Sequence, residues 1–159
     1  MNQPTSIIEP KALSRAIDGR TVLHALTLSF PKGLTTVVMG PPGCGKSVMH
    51  KHIIGLLKPD SGELWFQTHR IDTQSDTDLS ALRRRFGILF QQAALFDSMN
   101  VHDSVAFPLL EAGWPEARIG ARVLEVLSLV GLADTLTNLP AELSGGMRKR
   151  IGLARAIVL

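Results

Sequence analysis

A single cysteine, Cys44, among 159 residues excludes an intrachain disulfide and suits a reducing compartment. Tyrosine is absent and aromatics make up only 5% of the chain, so a basic groove would have little on which to stack bases. The two basic clusters, Arg83-Arg84-Arg85 and Arg148-Lys149-Arg150, therefore read as solvated helix faces, and no nucleic-acid partner is expected. No apolar run approaches the roughly 18 residues of a membrane span. The N-terminus, "MNQPTSIIEPKALSRAIDG", is polar and broken by Pro4 and Pro10, unlike a signal peptide. Work at a membrane would need another protein as anchor.

What is present suffices for a core: 45% of residues are hydrophobic and 19% charged. Residues 21–30, "TVLHALTLSF", alternate as a half-buried strand with Leu26, Leu28 and Phe30 on one side. "LTTVVM" (34–39) is a β-branched run read as a buried strand. "KSVMHKHIIGLL" is a helix with Val48, Met49, Ile53, Leu56 and Leu57 on one face. "KPDSG" is a turn, "ELWF" a strand, residues 72–80 a polar loop, and "FGILF" a strand ending at Gln91. Three helices follow: "VHDSVAFPLLEAG", "PEARIGARVLEVLSLVG" with Pro115 in its first turn, and a helix from Ser144 with Met147, Ile151, Ala154 and either Ile157 or Val158 inward. Residues 1–92 are thus β-rich with one crossover helix, and 93–159 are helical.

Between the second strand and the first helix lies "GPPGCGKS", Gly40 to Ser47. Gly40, Gly43 and Gly45 let backbone N–H groups face an anion without Cβ clashes. The helix start adds its positive end. In this pattern Lys46 reaches the β- and γ-phosphates, and the Ser47 hydroxyl takes one position on Mg²⁺. By average residue usage the four fixed positions arise by chance in about half a per cent of chains this long. Cys44 reads as a small filler in the loop. A second anion-binding helix start, Ser144-Gly145-Gly146, stands in the same chain.

At these residues the sequence resembles the ATP-binding subunits of ABC transporters. Gly40, Pro41, Pro42, Gly43, Cys44, Gly45, Lys46 and Ser47 match the Walker A motif, Gln91 the Q-loop glutamine, and Leu143-Ser144-Gly145-Gly146-Met147 the signature. "LFQQAALFDSMNVHDSVAFPL" with Met147 after the glycines looks like the Mla-type branch, which moves phospholipid or other lipids with membrane partners of the MCE kind. The resemblance implies an α/β P-loop NTPase. Its RecA-like core carries an antiparallel β subdomain, and a helical signature subdomain spans 93–159. It implies ATP and Mg²⁺ as ligands. Gly40–Val48 with Ser144, Gly145 and Gly146 contact nucleotide, Ser47 and Gln91 the metal, and Lys46 and Gln91 act in catalysis. It further implies a head-to-tail dimer with a second ATP-binding subunit, a membrane permease docked at residues about 92–105, an MCE-type substrate-binding protein in the complex, and a peripheral place on the cytoplasmic face of the inner membrane.

The chain departs from the family pattern in three ways. It stops at "ARAIVL", before the Walker B aspartate, the general-base glutamate and the switch histidine, so it reads as an N-terminal piece of a longer ATPase, inactive alone. The alternative is a short module that binds nucleotide without hydrolysing it. DNA-repair relatives with the same signature carry a long coiled coil after the Q-loop, which the short interval here argues against. Second, the adenine-stacking aromatic is missing; Ile17 and Val22 offer only apolar contact. Third, Val48 stands where a second hydroxyl is common, forgoing a phosphate hydrogen bond worth roughly 1.5–3 kcal/mol.

Overall fold

Pro10 does not stop the N-terminal stretch from forming a 12-residue strand, β1 (Ser6–Ile17). Pro10 lacks an N–H but still offers its carbonyl, which accepts from Leu28 N–H at 3.1 Å. In this computed structural model residues 5–91 and 93–159 are described. They group into two units, Met1–Arg83 and Arg84–Leu159.

In the first unit, Asp18 and Gly19 both take positive φ (51° and 75°), and this two-residue turn folds β2 (Arg20–Leu26) back on β1. β1 also pairs antiparallel with β3 (Phe30–Pro31) and β4 (Ser61–Phe66), and β4 with β5 (His69–Arg70). The main order is β2-β1-β4-β5. Ala12 (φ 49°) and Ala25 (φ 44°) lie beside register shifts in the β1–β2 pair. Hydroxyls take over as acceptors there: Thr27 Oγ1 from Ala12 N–H and Ser14 Oγ from Ala25 N–H, each at 2.9 Å. Leu13, Leu23, Leu64, Phe66 and Ile71 are buried, together with Met49 and Ile53 of α1 (Lys46–Ile53) and Leu79 of α2 (Asp76–Arg83).

Several sequence expectations are corrected here. The strand expected over 21–30 ends at Leu26, and its buried residue is Leu23, with Leu28 exposed. Residues 76–80, expected as loop, open α2. Neither 34–39 nor 86–90 forms a strand. A strand exists only through pairing, and among the described residues neither run has a hydrogen-bonded neighbour. Leu34, Val37 and Met39 are accordingly exposed. The sheet present is wholly antiparallel.

The second unit is built on α3 (Val101–Glu111), α4 (Glu116–Leu129) and α5 (Gly145–Ala156). Asn100 Oδ1 caps α3 by accepting from Asp103 N–H at 2.8 Å. On α4, Ile119, Val123, Val126 and Leu127 are buried, as the 3.6-residue stripe predicts. They meet Val101, Val105 and Leu109 of α3 and Ile151, Ala154 and Val158 at the α5 end. Arg122 donates to the Val158 and Ile157 carbonyls, closing that end of the bundle. The sequence boundary at 92 falls later than the observed division. Residues 84–91 group with the helices because Gly87 lies against the Ala156 backbone and Leu89 against Gly152.

Candidate functional site

The loop Gly40–Ser47 joins an exposed run without regular structure to α1 and lies in the first unit. Gly43 and Gly45 take φ of 79° and 94°, a region open to glycine and costly for other residues. Gly45 is the N-cap of α1, with no side chain capping it and no acidic residue in the first turn. The first-turn N–H groups therefore keep their donors free for an anion. Gly45 also packs closely: a Cβ there would meet Val22 O at 3.0 Å and Leu23 Cδ2 at 3.1 Å. A Cβ on Gly40 would meet Cys44 Sγ at 2.7 Å. Lys46 Nζ turns back across the loop to the carbonyls of Gly40 (2.7 Å) and Pro41 (2.8 Å), with Cys44 Sγ at 3.6 Å.

A cleft of about 320 Å³ opens beside this loop, lined by Gly43, Gly45, Lys46, Ser47 and Val48 and by Ile17, Arg20 and Val22 of the hairpin. Its donors, its cation and its free hydroxyl suit a triphosphate with a divalent metal. Its other wall is aliphatic, with one guanidinium and no aromatic, which fits a base held by apolar contact. Two residues outside the motif steady this region. Asp60 accepts from Ala16 N–H (2.7 Å) and Arg15 Nη1 (2.6 Å), tying the turn before β4 to β1. The Ala16 N–H chiefly, opposed by partial burial and helped by Arg15, holds the Asp60 carboxyl below its ordinary value. Arg83 donates to Gly55 O at 2.6 Å, just beyond the end of α1.

The other expected site residues lie in the second unit. Gln91 sits exposed in a turn closed by Ala93 N–H donating to Phe90 O at 2.9 Å. Gln92, the first residue of the expected permease surface, lies outside the described residues. Ser144 is the N-cap of α5, its Oγ accepting from Met147 N–H at 3.2 Å. Around Gly145 and Gly146 nothing comes closer than 3.9 Å to a would-be Cβ, so that helix start is open. Arg148 anchors it from behind, donating to Leu143 O (2.7 Å) and Pro140 O (3.3 Å). Arg150 donates to Val130 O at 3.0 Å. The second basic cluster thus does more than solvate a face: two of its members staple carbonyls. Nothing in residue pattern alone marks them, because their acceptors are distant peptide oxygens. In the first unit, the Asp18-Gly19 turn brings Ile17 and Val22 beside the Gly40–Ser47 loop.

A family profile described as ABC transporter matches residues 23–159. Among curated proteins the chain is 45% identical over 153 residues to the probable ribonucleotide transport ATP-binding protein mkl of Mycobacterium leprae, covering 96% of this chain and 44% of that one. It is 42% identical to the methionine import ATP-binding protein MetN of Symbiobacterium thermophilum, covering 95% and 47%. It is also 42% identical to the intermembrane phospholipid transport system ATP-binding protein MlaF of Haemophilus influenzae, covering 100% and 60%. The chain therefore spans about half the length of the curated relatives it matches. Among solved structures, a dimeric ATP-binding cassette, MJ0796, bound to ADP and Pi superposes with a TM-score of 0.86 at 28% identity, covering 95% of this chain and 69% of that one. With the loop, the helix starts and the α/β P-loop NTPase fold all agreeing, the chain belongs to the ABC transporter family, among its ATP-binding subunits.

Proposed function

We propose that Gly40–Val48 holds the triphosphate of Mg-ATP, and that in the full-length protein its hydrolysis drives transport of a phospholipid or another lipid across or between membranes. The carrying observation is Lys46, whose ammonium already lies over the loop, bonded to the Gly40 and Pro41 carbonyls. An ammonium in that place is ready to exchange carbonyl partners for phosphate oxygens. The free N–H groups of the first α1 turn take the remaining phosphate oxygens, and the exposed Ser47 hydroxyl offers a metal ligand. Mg²⁺ held there with the help of Ser47 and Gln91 would supply charge neutralisation on the phosphates. Gln91 orients the metal and the attacking water. Ser144, Gly145 and Gly146 close over the γ-phosphate of a second copy, head to tail, and reopening follows loss of that phosphate.

The region about 92–105 receives the permease, with an MCE-type protein completing a complex on the cytoplasmic face of the inner membrane. No helix among the described residues is long and apolar enough to cross a membrane, which agrees with a peripheral subunit. The lipid reading rests on Met147 in the signature and on the likeness to MlaF.

The test uses the full-length protein. Lys46→Ala should abolish ATP binding by calorimetry. Ser144→Arg should keep monomer affinity within about three-fold, because the cradle is elsewhere, yet lose ATP-driven dimerisation by light scattering. Dimerisation of Ser144→Arg with ATP would leave a stand-alone nucleotide-binding module as the better reading. In the reconstituted complex, ATPase stimulation by phospholipid supports the lipid assignment, whereas stimulation only by a ribonucleotide or methionine overturns it.

A further inference from the structure

Arg155, in the last turn of α5, makes no ion pair among the described residues. Instead its guanidinium donates twice to peptide oxygens, Nη1 to Ala94 O and Nη2 to Ala93 O, each at 2.8 Å. The planar fork suits two adjacent carbonyls in a way an ammonium does not. Its acceptors are unusual. Ala93 and Ala94 take φ of 61° and 49°, a left-handed region that an L-alanine leaves unless contacts hold it there. Ala93 N–H closes the turn that carries Gln91. One turn earlier on the same α5 face stands Gly152. A Cβ at Gly152 would meet Leu89 Cδ1 at 3.0 Å and Ala93 Cβ at 3.1 Å, so its absence lets the Gln91 segment lie directly on the helix. Ala93 is 1% exposed. Burial also pulls the Arg155 guanidinium below its ordinary value, a cost that an idle surface arginine does not bear.

We propose that Arg155 is a positioning residue: with Gly152 it fixes the Gln91 turn to α5, so that this turn and the Ser144-Gly145-Gly146 helix start move as one piece. The inference rests on the nucleotide reading above, in which Gln91 serves the chain's own site and Ser144 the partner's. It adds that a change felt at one is delivered to the other through a single helix.

The experiment is steady-state Mg-ATP hydrolysis and ATP binding by the full-length protein. Arg155→Lys keeps the charge but loses the fork. It should leave ATP affinity and KM within about two-fold while kcat falls about ten-fold, since the reacting group is misplaced and not unbound. Gly152→Ala forces Ala93 to give by a few tenths of an ångström and should produce the same split. Ala94→Gly in the Arg155→Lys background should recover part of the lost kcat, because glycine holds that φ unaided. A merely structural arginine would not respond to that second substitution. Wild-type kcat in Arg155→Lys overturns the proposal. So does a parallel loss of affinity, kcat and thermal midpoint that Ala94→Gly does not relieve. Lys46→Ala separates the two readings: retained ATP binding there overturns the nucleotide site itself, whereas lost binding beside an unaffected Arg155→Lys kcat overturns only the positioning role.

Discussion

Val48 lines the cleft beside Ser47 yet can offer it no hydrogen bond. In the proposed nucleotide reading, a hydroxyl there would face the phosphates assigned to Lys46 and the α1 N–H groups. A hydrogen bond to a charged acceptor contributes roughly 1.5–3 kcal/mol net, and β-branched Thr preserves the shape of Val. Val48→Thr in the full-length protein should therefore tighten Mg-ATP binding about ten-fold by calorimetry. Unchanged affinity would mean that Val48 does not face phosphate. At this scale the loop's backbone was readable: Gly43 and Gly45 stand where φ is positive, and the helix opens directly after Gly45. Arg155 was not readable, because its partners are peptide oxygens about sixty residues away and carry no side-chain signature.

Among the elements, the β4–β5 hairpin depends on one carboxylate. Asp72, with its side chain only 6% exposed, accepts from Arg70 and from Leu64 N–H at 2.8 Å. Burial alone would raise its pKa, but Arg70 and the Leu64 N–H outweigh it and the carboxyl is held below its ordinary value. A depressed carboxylate stabilises the fold above its unfolded pKa, near 3.9, and that contribution disappears as pH falls through the lower folded value. The thermal midpoint of the full-length protein should thus hold from neutrality to about pH 5 and drop below about pH 4, and Asp72→Asn should flatten that drop. An acid limb of the same slope in Asp72→Asn would contradict the assignment. The helices α3, α4 and α5 were legible because each buries a face against its neighbours within a short stretch of chain. The strands over 34–39 and 86–90 were not, because apolar β-branched sequence gives propensity while a strand also needs a partner to bond. Conversely, β1 was missed: Pro10 obscured a strand whose ladder tolerates it, and the irregularity at Ala12 spoiled its alternation.

For the molecule as a whole, each unit leaves apolar side chains open to water: Leu34, Val37 and Met39 in the first, Leu89, Phe90 and Phe96 in the second. Met39 is 87% exposed, on the very run that leads into the phosphate loop. A polypeptide of residues 1–159 should bind an apolar dye strongly and melt with a broad transition. A sharp transition in a monodisperse, dye-free monomer would refute this.

The rigid seat of the Gln91 turn on α5 also sets a gearing. From Ser144 to Arg155 the helix runs about 16 Å at 1.5 Å per residue. A tilt of about 5° pivoted at the Arg155 end sweeps the Ser144 end through about 1.4 Å, enough to make or break a hydrogen bond. A displacement too small to unseat the two alanine carbonyls at the short end of this lever is magnified into an on–off event at its long end. The rotation is set by the pivot, and the sensitivity by the length of one helix.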